Sequence, residues 1–197
     1  MTKLVLASAN PDKLQELRYL LRGLKLTVVP ARDLLPGWTV EETGRTLEAN
    51  AYIKARDVFL RTGLPSVADD TGLFVDVLGG APGIFAARFA GIQCTYESNL
   101  KKLLTTMLCE TNRRACFRTT AVLVSTGTEF SVTGEVSGII LDEPDGTGGF
   151  GYDPVFLPDG LDHSFARCTP EEKNSVSHRS RAMRDLRKRL LGTDLLT

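Results

Sequence analysis

The chain has 197 residues, and its 24 basic and 24 acidic side chains give a formal net charge of zero. This balance argues against a protein whose main partner is a nucleic-acid backbone, because such domains are strongly basic. Hydrophobic residues make up 42% and charged residues 24%, which is typical of a globular chain and not of a disordered one. The length predicts one domain, or one domain with two lobes.

Cysteine spacing and apolar runs indicate the compartment. Two histidines are too few for a histidine-rich metal centre, and no cysteine pair has the C-x-x-C spacing of a zinc or redox site. No apolar run approaches the ~20 residues that cross a bilayer. We therefore expect free thiols, no membrane partner and a cytoplasmic location. The thiols are those of Cys94, Cys109, Cys116 and Cys168.

The first 80 residues alternate short apolar strands with helices. The first helix has Asn10 as its N-cap and Pro11 at its first helical position, and Gly23 is predicted to end it. A second helix is predicted over about 47–60, with Gly63 as its stop. Strands are predicted over residues 4–7, 26–29, 66–68 and 73–78.

The rest of the chain also mixes both element types. Two long β-prone runs, 116–125 and 129–141, are separated by a short turn that predicts a hairpin. A helix is predicted over 99–107, Thr169 begins a capping-box sequence, and Ser177 opens a last helix. Strands and helices that alternate in this way predict an α/β domain with a mixed sheet.

The first segment with chemical potential precedes the first helix. Unpaired N–H groups and a partial positive charge make a helix N-terminus a phosphate site, and small residues before it let an anion approach the backbone. A lysine in the first turn adds a full charge. A plain capped helix with an exposed lysine is the alternative interpretation. The residues are Ser8, Ala9, Asn10, Pro11, Asp12 and Lys13.

Two acidic pairs form the second group. Asp69 and Asp70 follow the strand predicted over 66–68, and alternating strand geometry points them in opposite directions, so only one can face a given site. One of them, with one carboxylate from Glu41 or Glu42, would make the hard oxygen site that suits Mg²⁺. A solvated acidic turn is the alternative.

The third and fourth groups lie near the C-terminal end. Glycines on both sides of Phe150 leave room for a flat ring, and Asp153 could accept hydrogen bonds from a base or sugar. Lys173, His178 and Arg179 together could meet an anion or a carbonyl oxygen. The alternatives are a glycine-rich turn with core aromatics and, for the later basic residues, a solvated helix face.

Taken together and in order, these segments closely resemble the inosine triphosphate pyrophosphatase family, also called XTP/dITP diphosphatases, in its bacterial branch. The resemblance spans nearly the whole chain. Thr71 stands where many members have serine, which keeps the hydroxyl. The segments are SANPDK (8–13), ADDTGL (68–73), GAPGIFAARFAG (80–91), GFGYDPVF (149–156) and EKNSVSHR (172–179).

The resemblance implies a homodimer of two-lobed α/β subunits, each with a mixed twisted sheet, flanking helices and a long substrate cleft. It implies Mg²⁺-dependent hydrolysis of non-standard purine nucleoside triphosphates, such as dITP, ITP and XTP, to the monophosphate and pyrophosphate. Asp70 would accept the proton of the attacking water and bind the metal. Glu42 would be the second metal carboxylate, with Glu41 still possible.

The resemblance also implies substrate contacts. Residues 8–13 would cradle the triphosphate, and Thr71 would touch the substrate. A donor such as Arg179 or His178 would pair with the 6-oxo group of hypoxanthine or xanthine, and adenine would leave that donor unmet. The residues implied to hold the base and sugar are Phe150, Gly151, Tyr152, Asp153, Lys173, His178 and Arg179.

Two rival functions remain at this level. One is a broader pyrophosphatase for other modified nucleotides. The other is a nucleotide- or RNA-binding regulator without turnover, which would use the basic last helix. The pair Asp69-Asp70 argues for an enzyme over a binding regulator, because a pure anion binder gains nothing from carboxylates beside phosphates unless a metal intervenes.

Overall fold

A computed structural model of the protein describes residues 2–193 and 195. Within these residues the chain forms seven β-strands and six α-helices. The strands are β1 (Thr2–Leu6), β2 (Leu26–Pro30), β3 (Ser66–Val75), β4 (Pro82–Gly83), β5 (Arg114–Ser125), β6 (Thr128–Ile140) and β7 (Phe156–Pro158). The helices are α1 (Pro11–Leu20), α2 (Ala31–Leu34), α3 (Leu47–Thr62), α4 (Tyr96–Thr106), α5 (Pro170–Val176) and α6 (His178–Leu191).

The strands form one mixed sheet in the order β2-β1-β3-β5-β6-β7, with β4 paired to β3. β1 runs parallel to both neighbours, with Leu4 opposite Val28 and Leu6 opposite Val67. β4 and β7 pair antiparallel with β3 and β6. A two-residue turn at Thr126 and Gly127 joins β5 to β6, which confirms the predicted hairpin. The predicted α/β class with a mixed sheet and flanking helices is confirmed.

The chain divides into two compact units. The first contains the described residues up to Asp70, Thr119–Gly134, and the described residues from Arg179 onward. The second contains Thr71–Arg118 and Glu135–His178. The organisation of the whole chain as a single two-lobed domain stays a prediction.

In the first unit, successive residues of β1 enter two different cores. Leu4 and Leu6 pack in a cluster with residues of α1 and α6, whereas Val5 and Ala7 pack in a cluster with residues of α3. This follows from the alternation of side chains along a strand. A strand buried on both faces needs a continuous apolar run, which explains the unbroken hydrophobic segment near the start of the chain.

In the second unit, one core gathers α4 with β-strand and loop residues. Aromatic rings dominate it: Phe117 meets Phe156 edge to face with ring centroids 4.6 Å apart, and Phe165 lies 5.4 Å from Phe156. Leu103 of α4 and Met107, which caps the C-terminal end of α4, are both fully buried in the same cluster. Within the described residues, none of the helices has the length and apolar character needed to cross a membrane.

Most predicted elements are confirmed, but the predicted division of residues 66–78 and the predicted end of the first helix are wrong. Residues 66–68 and 73–78 were expected as two strands with the acids between them, but β3 is one continuous strand, and Asp69 and Asp70 lie in its middle. Both carboxylates are buried against cations, which makes a strand interior tolerable for them. α1 ends at Leu20, before the predicted stop at Gly23. Gly63 caps α3 in the left-handed conformation, as predicted.

Candidate active site

The turn from β1 into α1 exposes a helix N-terminus in the first unit. Asn10 caps the helix, its Oδ1 accepting from the backbone N–H of Asp12 at 2.8 Å, and its own N–H donates to Ser8 Oγ at 3.1 Å. Pro11 occupies the first helical position, and Ala9 is exposed. The cap was predicted. Pro11 has no N–H and the N–H of Asp12 is bonded to the cap, so an anion at this helix N-terminus would be met by the later first-turn N–H groups.

Lys13 is not the exposed lysine of the alternative interpretation. Its Nζ lies 3.0 Å from Asp69 Oδ2 and 3.2 Å from the backbone oxygen of Asp69, and only 14% of its side chain is exposed. Burial lowers the pKa of the Lys13 ammonium, and the neighbouring Lys54 acts in the same direction, while Asp69 opposes both.

Asp69 connects Lys13 to a second cation. The Nε of Arg179 lies 3.2 Å from Asp69 Oδ2, and the Nη1 of Arg179 lies 2.6 Å from Glu16 Oε2. Burial alone would raise the pKa of the Asp69 carboxyl, but the charges of Lys13 and Arg179 outweigh it and hold that pKa well below its usual range. We call these four residues, Lys13, Asp69, Arg179 and Glu16, the ionic cluster.

The adjacent acid, Asp70, has different partners. Its Oδ1 lies 3.1 Å from Lys54 Nζ, and its Oδ2 accepts from Asn50 Nδ2 at 3.3 Å. Burial raises the pKa of the Asp70 carboxyl, although Lys54 and Lys13 oppose this. The two neighbouring acids therefore serve separate groups, as their alternation along a strand requires.

Lys54 also selects between the two candidate glutamates. Its Nζ lies 3.0 Å from Glu42 Oε1, so Glu42 and Asp70 converge on one ammonium, whereas Glu41 is exposed. Burial would lower the pKa of Lys54, but the carboxylates of Asp70 and Glu42 outweigh it and raise that pKa. We call Glu42 and Asp70 the carboxylate pair.

The donor chemistry of the carboxylate pair fits Mg²⁺, which prefers hard oxygen ligands and commonly takes one or two carboxylates together with substrate phosphates. Nowhere in residues 2–193 and 195 do three or more His, Cys, Asp or Glu side chains gather as a possible metal site. At a magnesium site with only two protein carboxylates, phosphate oxygens of the substrate and water complete the coordination of the metal.

In the second unit, a glycine-rich segment presents Phe150. The Phe150 N–H donates to Asp153 Oδ2 at 2.8 Å, and the Lys173 ammonium lies 2.6 Å from that same oxygen and 4.7 Å from the centre of the Phe150 ring. Gly149 has a φ of +68°, and a Cβ there would collide with the carboxylate of Asp153, so only glycine fits. We call residues 148–151 the glycine loop.

Other predicted base-binding residues lie in different surroundings. Tyr152 is buried and its hydroxyl donates to the Ala86 oxygen at 2.9 Å, and burial raises its pKa. Its ring is a core side chain, so any direct substrate contact would have to come from its backbone. His178 is buried and stacks on Phe117 with centroids 4.6 Å apart. Gly151 and Thr71 are half-buried.

Arg179 belongs to the first unit, and two of its nitrogens already face carboxylates of the ionic cluster. Burial would lower its pKa, but Asp69 and Glu16 outweigh this and raise it. A guanidinium has five N–H donors, so these two ion pairs do not exclude a further hydrogen bond to a 6-oxo group. Its role in recognising the base stays a prediction.

Sequence reasoning missed three site residues: Glu16, Asn50 and Lys54. Glu16 follows Lys13 by three positions on α1, so the two share a helix face, and this spacing was available from the sequence. Asn50 and Lys54 are one turn apart on α3 and both are buried. A polar residue pair on the apolar side of a helix is the pattern that could have revealed them.

These features define a mixed α/β protein in which a capped helix N-terminus and a largely buried lysine lie in the same unit as the carboxylate pair. The model of the Ham1 family matches residues 4–189, and the chain belongs to this family. A dITP/XTP pyrophosphatase of Mycobacterium tuberculosis is 48% identical over 189 residues, covering 93% of this chain and 92% of that protein. One from Thermoanaerobacter pseudethanolicus is 43% identical over 191 residues, covering 96% of each. A solved HAM1 protein from Coxiella burnetii has a TM-score of 0.90 at 37% identity, covering 98% of this chain and 100% of that one.

Proposed function

We propose that this protein is a hydrolase of the nucleotide pool that converts non-standard purine nucleoside triphosphates, dITP, ITP, XTP and dXTP, to the monophosphate and pyrophosphate. The names of its relatives support the substrate class. The observation that carries the proposal is in the first unit, where Lys13 and the N-terminus of α1 accompany the carboxylate pair. An anion site beside carboxylates suits metal-assisted phosphoryl chemistry and not simple anion binding.

The N-terminus of α1 and Lys13 would hold the triphosphate. Backbone N–H groups and an ammonium suit phosphate oxygens, and Asp69 keeps the Lys13 side chain in a fixed orientation. Glu42 and Asp70 would hold Mg²⁺, which when bound would offset part of the phosphate charge. Groups that are already in place stabilise a developing charge without reorganisation.

Asp70 is the proposed proton acceptor. Burial raises its pKa, and a carboxylate of higher pKa is a stronger base for the attacking water. That water would attack the α-phosphorus, the bond to the β-phosphate oxygen would break, and pyrophosphate would leave beside Lys13. Hydrolysis in ¹⁸O-water tests the attack site: we expect the label in the monophosphate, and label in pyrophosphate would contradict it.

The second unit would recognise the base. The Phe150 ring offers a stacking surface, and Asp153 and Lys173 supply polar groups beside it. Stacking alone does not discriminate among purines. A donor to the 6-oxo group would reject adenine, whereas rejection of guanine, which also has a 6-oxo group, must depend on its 2-amino group. The proposed donor is His178 of this unit or Arg179, which belongs to the first unit.

The deciding experiment measures pyrophosphate release from dITP, XTP, dATP and dGTP with Mg²⁺, beside the variant Asp70→Asn. We expect fast release from dITP and XTP only, and its loss in the variant. Slow, similar release from all four would favour a broader modified-nucleotide pyrophosphatase.

No release, together with nucleotide binding that does not need Mg²⁺, would favour a binding regulator. The homodimer implied by the resemblance and the cytoplasmic location expected from the cysteine pattern stay predictions. Size-exclusion chromatography with light scattering tests the former.

A further inference from the structure

The side chain of Asn50 is fully buried, and each end of its amide has a distant partner. Its Nδ2 donates to Asp70 Oδ2 at 3.3 Å, and its Oδ1 accepts from the backbone N–H of Gly44 at 2.8 Å. A backbone N–H can only donate and an ionised carboxylate can only accept, so these two partners fix the orientation of the amide.

This bridge connects the two halves of the carboxylate pair. Gly44 lies two residues after Glu42, in the segment before α3, while Asp70 lies in the middle of β3. Lys54, one helical turn after Asn50, already links Glu42 and Asp70 through charge. Asn50 adds an uncharged link that fixes the backbone of the Glu42 segment relative to the Asp70 carboxylate.

The space around Gly44 shows independently that its backbone lies close to the side chain of Asn50. A Cβ at position 44 would lie 2.6 Å from Asn50 Oδ1 and 2.8 Å from the Cβ of Ala49. The start of α3 is itself fixed, because Thr46 caps it by accepting from the N–H of Ala49 at 3.0 Å. Any side chain at position 44 must therefore displace either the Glu42 segment or the side chain of Asn50, and either displacement disturbs the hydrogen bond between them.

We propose that Asn50 is a positioning residue, one that sets the spacing of Glu42 and Asp70 for the divalent cation. This inference rests on the proposed function, which places that cation at the carboxylate pair. Groups that orient metal ligands are worth roughly 10–100-fold in metal affinity in well-studied sites. Since Asn50 contacts Asp70 and not the reacting atoms, its loss should weaken cation binding more than turnover at saturating Mg²⁺.

Three variants separate this role from simple stability. Asn50→Leu removes both hydrogen bonds at similar volume, and Gly44→Ala breaks the same link while keeping the amide. Asn99→Leu is the matched control, because Asn99 is also buried and also bridges backbone, accepting from Ala90 N–H at 2.7 Å and donating to the Ala87 oxygen at 3.1 Å.

The first measurement needs no turnover: NMR titration of each protein with Mg²⁺ alone. We expect Asn50→Leu and Gly44→Ala each to raise the Mg²⁺ dissociation constant about tenfold. The Mg²⁺ dissociation constant of the double variant should not exceed that of the weaker-binding single variant, because both changes break the same hydrogen bond. Asn99→Leu should lower the melting temperature and leave the Mg²⁺ dissociation constant within about twofold. If Asn50→Leu does not fold, Gly44→Ala decides the question alone.

Amide exchange at Gly44 in the metal-free protein is the second measurement, and we expect about tenfold faster exchange in Asn50→Leu. An unchanged Mg²⁺ dissociation constant in the folded variants, or unchanged Gly44 exchange, would overturn the inference. Failure of the proposed function is seen separately, since wild-type protein would then bind Mg²⁺ without releasing pyrophosphate from dITP.

Discussion

The ionic cluster in the first unit and the glycine loop in the second both place a lysine against an aspartate, but the two arrangements differ in burial and in what else the lysine contacts. In the ionic cluster, Lys13 and Arg179 share Asp69, and burial makes each charge depend on the others. At the glycine loop, Lys173 also meets a carboxylate, but it lies over the ring of Phe150 as well, and that ring is only half-buried. The ionic cluster holds buried charges in fixed positions, whereas the glycine loop leaves part of the Phe150 ring accessible to a ligand. We therefore expect substitutions in the first to abolish function or folding, and substitutions in the second to adjust substrate preference.

The largest effect should follow from Asp70→Asn. The change keeps the shape but removes the proposed proton acceptor and a metal carboxylate, so kcat for dITP should fall by about 10³-fold, within the range for loss of general-base catalysis. Pyrophosphate release at saturating Mg²⁺ measures it. A variant that keeps more than a tenth of wild-type kcat would show that Asp70 is not the base.

Asp69→Asn should act through stability. Lys13 and Arg179 would then remain buried without the carboxylate that they share, and broken buried ion pairs of this kind cost about 3–5 kcal/mol. Urea denaturation measures the free energy of unfolding. Asp159→Asn is the control, because the ion pair of Asp159 with Arg114 is exposed and should contribute less than about 1 kcal/mol. Equal losses in both variants would contradict the distinction.

Phe150→Leu tests the surface character of the glycine loop. Stacking of a base on an aromatic ring is worth about 1–3 kcal/mol, so KM for dITP should rise roughly tenfold or more while kcat changes little. Phe85→Leu replaces an exposed aromatic in the same unit and should leave KM unchanged. A fall in kcat with constant KM would mean that Phe150 acts on the chemical step instead.

The smallest effect is expected for Tyr152→Phe. This change removes only the hydrogen bond from the Tyr152 hydroxyl to the Ala86 oxygen, which should lower the free energy of unfolding by about 1 kcal/mol. Because the ring belongs to the core, kcat/KM for dITP should stay within about twofold of wild type. Steady-state kinetics with thermal melts checks both expectations, and a tenfold loss of kcat/KM would restore Tyr152 as a direct substrate contact.

The sequence predicted those structural features that depend on residues close to one another in the chain. Asn10 and Thr169 cap helices as predicted, because caps are set by residues a few positions apart. The partners of buried charges were not predictable in this way. Arg179 meets Glu16 from 163 positions away, and Lys54 meets Asp70 from 16 positions away.

The preference for Glu42 over Glu41 has the same origin. Both residues belong to an irregular segment, and no local pattern separates them. Lys54 contacts Glu42, whereas Glu41 is exposed, and this difference exists only in the folded chain. β3 likewise accommodates two acids in its interior only because cations from α1, α3 and α6 meet them there.

The count of charges around Asp69 and Asp70 has a kinetic consequence. The residues of the ionic cluster and the carboxylate pair, with Lys54, are three cations and four carboxylates, a net charge of −1 for these seven residues when all are ionised. A site without excess positive charge gives little long-range attraction to a polyanion, so encounter should be slow and only weakly sensitive to ionic strength. A triphosphate that arrives already complexed with Mg²⁺ carries less negative charge and is repelled less. We therefore expect the metal–nucleotide complex to be the species that associates productively.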